Sequence, residues 1–154
     1  MSDSIVKTIN HMIMHVIILL VPLTVVYSIY HNLAAFILGL LIGIFVDVDH
    51  LFDYLVYAKD HFSLRDFLNT SHYFNQNGKV YVPLHSYELA SFLVGILFYN
   101  NLDAIAICVG IGYFGHLLFD QYSYPVHPLT YFLAYRILRN FDQEKLCRLQ
   151  SNCR

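Results

Sequence analysis

The apolar run at residues 33–46 ends in Asp47-Val-Asp-His-Leu-Phe-Asp53, so three carboxylates and an imidazole close a segment that otherwise reads as membrane-spanning. An ionised group near the end of such a run is costly, by roughly 2.5–3.5 kcal/mol at a helix centre and less toward the interface. The cost has to be offset by partners, and a bound cation is the most direct one. The fold must therefore bring the other polar groups of the chain to this stretch.

Composition sets the solvent. The chain is 154 residues long, 57% hydrophobic and only 13% charged, with a mean hydropathy of +0.50. Soluble proteins carry about 25% charged residues, so an integral membrane protein forming one domain is expected. The net charge of -2 offers no basic surplus for phosphates, and no nucleic-acid partner is expected. Cys108, Cys147 and Cys153 form no C-x-x-C pair and read as free thiols.

Apolar periodicity and length predict an all-α, polytopic fold of four transmembrane helices at about 11–30, 33–57, 84–100 and 103–122. Pro22 should kink the first. The second carries Gly39-x-x-x-Gly43, a pattern that lets helices approach closely. Residues 59–83 form the one long polar loop. Pro125 and Pro128 stop the fourth helix, and 129–141 is apolar but too short to cross, which predicts a C-terminal interfacial helix.

All nine Lys and Arg residues lie in the N-terminal segment (Lys7), the 59–83 loop (Lys59, Arg65, Lys79) or the C-terminal segment (Arg136, Arg139, Lys145, Arg148, Arg154). The short connections near His31 and Asn101 have none. The positive-inside rule then places both termini and the loop in the cytoplasm, as in a bacterial-type inner membrane.

This topology fixes depth. Counted at 1.5 Å per residue from the opposite ends of their helices, His15, Asp49 and His85 lie about 22–24 Å in, and His116 and Asp120 bracket about 20–26 Å. All four helices thus bring a His or Asp to one layer. Spacing within the helices agrees: His116/Asp120, His11/His15 and Asp49/Asp53 are one turn apart at i, i+4, and Asp47/His50 and His85/Glu88 at i, i+3. Mixed imidazole and carboxylate ligands suit Zn or Mn, as one or two divalent ions. The candidate ligands are His15, Asp47, Asp49, His50, His85, His116 and Asp120, with His11 as the alternative to His15. Glu88 or Asp53 is the candidate proton acceptor.

Three stretches carry a resemblance: Gly43-x-x-x-Asp47-Val-Asp-His50, Pro83-Leu-His-Ser-Tyr-Glu88 and Gly115-His-Leu-Leu-Phe-Asp120, together with an early His. They resemble the YdjM-type membrane-bound, metal-dependent hydrolases, also described as LexA-binding, inner-membrane-associated hydrolases. Asp47 and Asp49 match that family's acidic pair, His85-Ser86 its HS pair, His116 and Asp120 its last motif, and His15 or His11 its early His. Val46 stands where the family has Pro, and Gly115 where it has Ser; neither change removes a ligand. The resemblance implies metal-dependent hydrolysis.

The expected function is therefore a membrane-bound, metal-dependent hydrolase with its site at the cytoplasmic face. Its depth among membrane lipids favours a lipid-linked or phosphoester substrate. A transporter would need ionisable groups through the whole membrane, and the far halves of the four helices lack them. A metal-stabilised scaffold or regulatory binding protein is the remaining alternative, since a structural site is closed and a catalytic one keeps an open position.

Overall fold

The computed structural model describes residues 3–58, 62–67 and 78–147, and most of the chain is helical. Helices α1 (Asp3–Tyr30) and α2 (Leu33–Phe45) are followed by a 3₁₀ turn (Val46–Val48), α3 (Asp49–Ala58) and the short α4 (Leu64–Phe67). After residues outside the described set come α5 (Tyr87–Tyr99), α6 (Asp103–Ser123), α7 (Leu133–Leu138) and α8 (Gln143–Leu146). No strand forms among the described residues; the Lys79–Asp142 and Val126–Cys147 bridges are isolated.

Three segments are long and apolar enough to cross a membrane: Val6–Tyr30, Leu33–Ala58 and Asp103–Ser123. The expected third crossing differs. Pro83 and the capping Ser86, whose hydroxyl accepts from Leu89 N, hold residues 83–86 outside the helix, so α5 has 13 residues. That is about 20 Å of helix, short of a hydrocarbon core about 30 Å thick. The C-terminal helix is also shorter than expected, at six residues. Helix α1 continues through Pro22.

Local sequence explains the tight turns. Asn32 caps α2 by accepting from Ala35 N at 3.0 Å. His31 (φ 50°) and Asn101 (φ 58°) take the left-handed conformation after α1 and α5, which Asn tolerates well. The two connections are only two and three residues long, so α1/α2 and α5/α6 run as antiparallel pairs. The glycine pattern has a direct consequence. A Cβ on Gly39 would lie 2.5 Å from the Cys108 carbonyl oxygen, and one on Gly112 would strike the Gly39 carbonyl. Backbone meets backbone where α2 crosses α6, and only glycine fits.

Two apolar cores result. Leu19, Leu23, Ala35 and Cys108 fill the space among α1, α2 and α6. Val46, Ala90, Tyr113, Leu117 and Tyr131 join α5 and α6 to the C-terminal segment. Ile13, Ile17, Val21, Val25 and Ile29 are exposed and repeat every four residues, forming one outward apolar stripe on α1 that suits lipid. Cys108 is buried and free, but Cys147 is disulfide-bonded, which corrects the expectation of a free thiol there. Cys153 lies outside the described residues.

Candidate metal centre

His116 is one turn before Asp120 on α6, and both side chains enter the bundle, with His116 fully buried and Asp120 nearly so. The His116 Nδ1 donates to the Gly43 carbonyl at 2.7 Å, across the close α2–α6 crossing. In the neutral ring this leaves Nε2 as a bare lone pair. His85 follows the same pattern: its Nδ1 donates to Asp49, at 3.0 Å from Oδ1 and 3.2 Å from Oδ2, which again leaves Nε2 bare. An outer partner of this kind fixes the tautomer of metal-binding histidines.

The two bare nitrogens face each other at 3.3 Å. Two carboxylates join them. Asp47 Oδ1 lies 3.6 Å from His85 Nε2 and 3.4 Å from His116 Nε2, while Asp120 Oδ2 lies 3.2 and 3.3 Å from the same atoms. Four lone-pair donors thus converge on one point, and without a positive charge between them they repel. A cation bound about 2.1 Å from four tetrahedral ligands separates them by about 3.4 Å. The separations of 3.2–3.6 Å match that spacing, so these residues fit a divalent ion.

The 3₁₀ turn Val46–Val48 explains how Asp47 and Asp49 divide their work. It interrupts the α-helical register between α2 and α3, so Asp47 reaches the four-atom cluster while Asp49 supports His85 from behind. Asp49 Oδ2 also accepts from the Leu84 and His85 backbone at 2.7 and 3.2 Å. His50 Nε2 lies 3.6 Å from Asp47 Oδ1, at the rim of the cluster.

His11 and His15 both reach Asp120, so the early-His alternatives resolve as a pair. Their Nε2 atoms lie 2.8 and 2.9 Å from Asp120 Oδ1 and 3.0 Å from each other. The His15 ring stacks on His116 with centroids 3.9 Å apart.

The two candidate proton acceptors have other occupations. Glu88 accepts from Ser86 Oγ (2.9 Å), Leu133 N (2.9 Å) and Ala134 N (3.1 Å), and so caps the first turn of α7. Asp53, fully buried, accepts from Tyr81 N at 3.0 Å and from Val82 N at 3.4 Å. Each carboxylate is engaged by backbone N–H groups, and neither belongs to the four-atom cluster.

Arg136 is the residue that spacing did not flag. It is 1% exposed, and its guanidinium donates to the carbonyls of Tyr81, Val82 (2.6 Å) and His85 (2.7 Å). Burial depresses its pKa below the ordinary value, and the charges of Asp49, Glu88 and Asp53 oppose that shift. Arg136 and Asp53 together grip the loop that delivers His85. Val82 in that loop has φ 29°, a conformation a β-branched residue adopts only when its surroundings impose it. Arg136 and Arg139 in the apolar stretch 129–141 were the available signal, and of the two only Arg136 is buried.

No family model, curated protein or solved structure matches this chain.

Proposed function

We propose that the protein is a membrane-bound, metal-dependent hydrolase whose divalent ion, Zn or Mn, is held by Asp47, His85, His116 and Asp120. One observation carries the reading: two imidazoles with their Nδ1 protons already committed aim bare Nε2 atoms at two carboxylate oxygens, at ligand-to-ligand spacing. The resemblance to YdjM-type hydrolases at the same residues supports it. Bound there, the ion would lower the pKa of a water and polarise the bond to be cleaved. The chain's own residues do the rest. Gly43 and Asp49 orient the two imidazoles, Arg136 and Asp53 hold the His85 loop, and Asp47, with 22% of its side chain exposed, gives the cluster an approach.

A lipid-linked or phosphoester substrate follows from the surroundings. A cleft of about 280 Å³ is lined by apolar residues including Ile42, Phe45, Leu89 and Phe92, and two further lining residues, Val46 and Leu84, directly precede Asp47 and His85. An apolar chain lying in that cleft would have its polar end next to the cluster. The α5 hairpin completes a fourth crossing in this reading, with both termini cytoplasmic because every Lys and Arg lies on that side. The Cys147 disulfide points the other way, since such bonds persist in oxidising compartments, but nine charges outweigh one bond. Labelling of a single cysteine placed at Asn101 tests orientation: reaction only from the cytoplasmic side overturns it.

The scaffold reading keeps one observation in its favour. Four protein ligands make a closed site, which is the usual structural arrangement. A hydrolysis screen of metal-loaded protein on phosphoesters, lipids and amides separates the two. Turnover that is lost in His116→Ala supports the enzyme, and inactivity across all three classes supports the scaffold.

A further inference from the structure

Asp120 divides its two oxygens between two pairs of imidazoles. Oδ2 faces His85 and His116, and Oδ1 faces His11 and His15. The second set differs from the first in spacing. Its three atoms lie 2.8, 2.9 and 3.0 Å apart, closer than the 3.2–3.6 Å of the four-ligand cluster. Three ligands at mutual right angles, each about 2.1 Å from one cation, stand about 3.0 Å apart. The shorter spacing is therefore that of one face of a higher-coordinate ion, with two His and one carboxylate on the protein side.

Hydrogen bonding alone satisfies this trio poorly. Each neutral imidazole brings one N–H, and if both point at Asp120 Oδ1 the two hydrogens crowd each other across 3.0 Å. If instead one ring donates to the other, the accepting ring carries its proton on Nδ1. His15 is 2% exposed and its Nδ1 has no hydrogen-bond partner among the described residues. The ring is fixed through Nε2 and its stacking on His116.

We infer that a second divalent cation binds at His11, His15 and Asp120 Oδ1, so that Asp120 bridges a two-metal centre. The inference rests on the metal reading proposed above and deepens it. The four-ligand site is closed and nearly buried, whereas the second has three protein ligands and lies at the rim, where 20% of the His11 side chain is exposed. The second ion is the one with coordination positions left for water or an anionic oxygen of a substrate. Ions sharing a carboxylate in this way sit about 3.5–4 Å apart in two-metal hydrolases, close enough to engage both oxygens of an in-line displacement.

The test is metal content of the full-length protein in detergent, loaded with Mn and freed of excess ion, read by elemental analysis and electron paramagnetic resonance. The expected result is two ions per chain with a spin-coupled spectrum in the wild type. His11→Ala, at a partly exposed position, should hold one ion with an uncoupled spectrum, and His116→Ala should lose coupling as well. One ion per chain in the wild type, unchanged in His11→Ala, overturns the second site and leaves the first intact. No bound ion in the wild type overturns the metal reading, and this inference with it. Should His11→Ala fail to fold, His11→Gln, which cannot supply the imidazole ligand, must show the same loss of one ion.

Discussion

At the end of the bundle that carries the tight turns, Leu23, Ala35 and Cys108 pack with apolar neighbours such as Val26 and Phe36, and Gly39 brings two helix backbones into contact. About 12 Å further along α1 and α6, counted from Leu23 and Cys108, His15 and His116 are buried, and Asp49, Asp53, His85, Asp120 and Arg136 are buried with them. Helices α1, α2 and α6 are thus joined by shape at one end, and at the other the elements around them are joined by charge. The shape-held end is sensitive to volume and indifferent to ions. The charge-held end tolerates burial only while every carboxylate has a positive or donating partner.

Substitutions that separate the two ends should differ accordingly. The largest effect is expected at Asp120, the residue shared by both imidazole pairs: Asp120→Ala should abolish metal binding, measured by elemental analysis. His50→Ala at the rim should lower affinity by less than about 10-fold, while Asp49→Asn, which loosens the His85 ring, should cost about 10–100-fold. Next is Arg136→Ala, which frees three carbonyls of the His85 loop and should cost roughly 2–4 kcal/mol in denaturation experiments, together with weaker metal binding. A stable Arg136→Ala protein with unchanged affinity would show that the loop holds His85 unaided.

At the other end, Gly39→Ala should destabilise by about 1–3 kcal/mol because the Cys108 carbonyl cannot move aside, with metal affinity unchanged. Gly95 on α5 meets nothing within 4 Å, so Gly95→Ala should be neutral or stabilise by up to about 1 kcal/mol. Equal losses for the two would contradict the backbone-contact account. The smallest effect belongs to Glu88. As a cap on α7, Glu88→Gln should cost about 0.5–1 kcal/mol and leave metal content and turnover intact. A 100-fold loss of turnover would restore Glu88 as the base.

The sequence carried the convergence because helix length and direction fix depth without knowledge of packing. His116/Asp120 and His11/His15 meet as their one-turn spacing requires. Asp49/Asp53 share that spacing and yet serve different partners, because the residues that engage them come from the 81–85 loop, whose path no periodicity encodes. The same loop shortens α5 and draws Glu88 to the start of α7. Arg136 was illegible for a related reason: its partners are backbone carbonyls, which are the same at every position of any sequence.

Thermal unfolding in detergent, before and after verified removal of metal, bears most directly on the cluster as a metal site that ties the helices together. Ligand binding at 100 times its Kd is worth about 2.7 kcal/mol, or roughly 5–10 °C for a chain of this size. The account predicts a fall of that order on chelation and its recovery with Zn or Mn. An unchanged melting temperature in metal-free protein would contradict it.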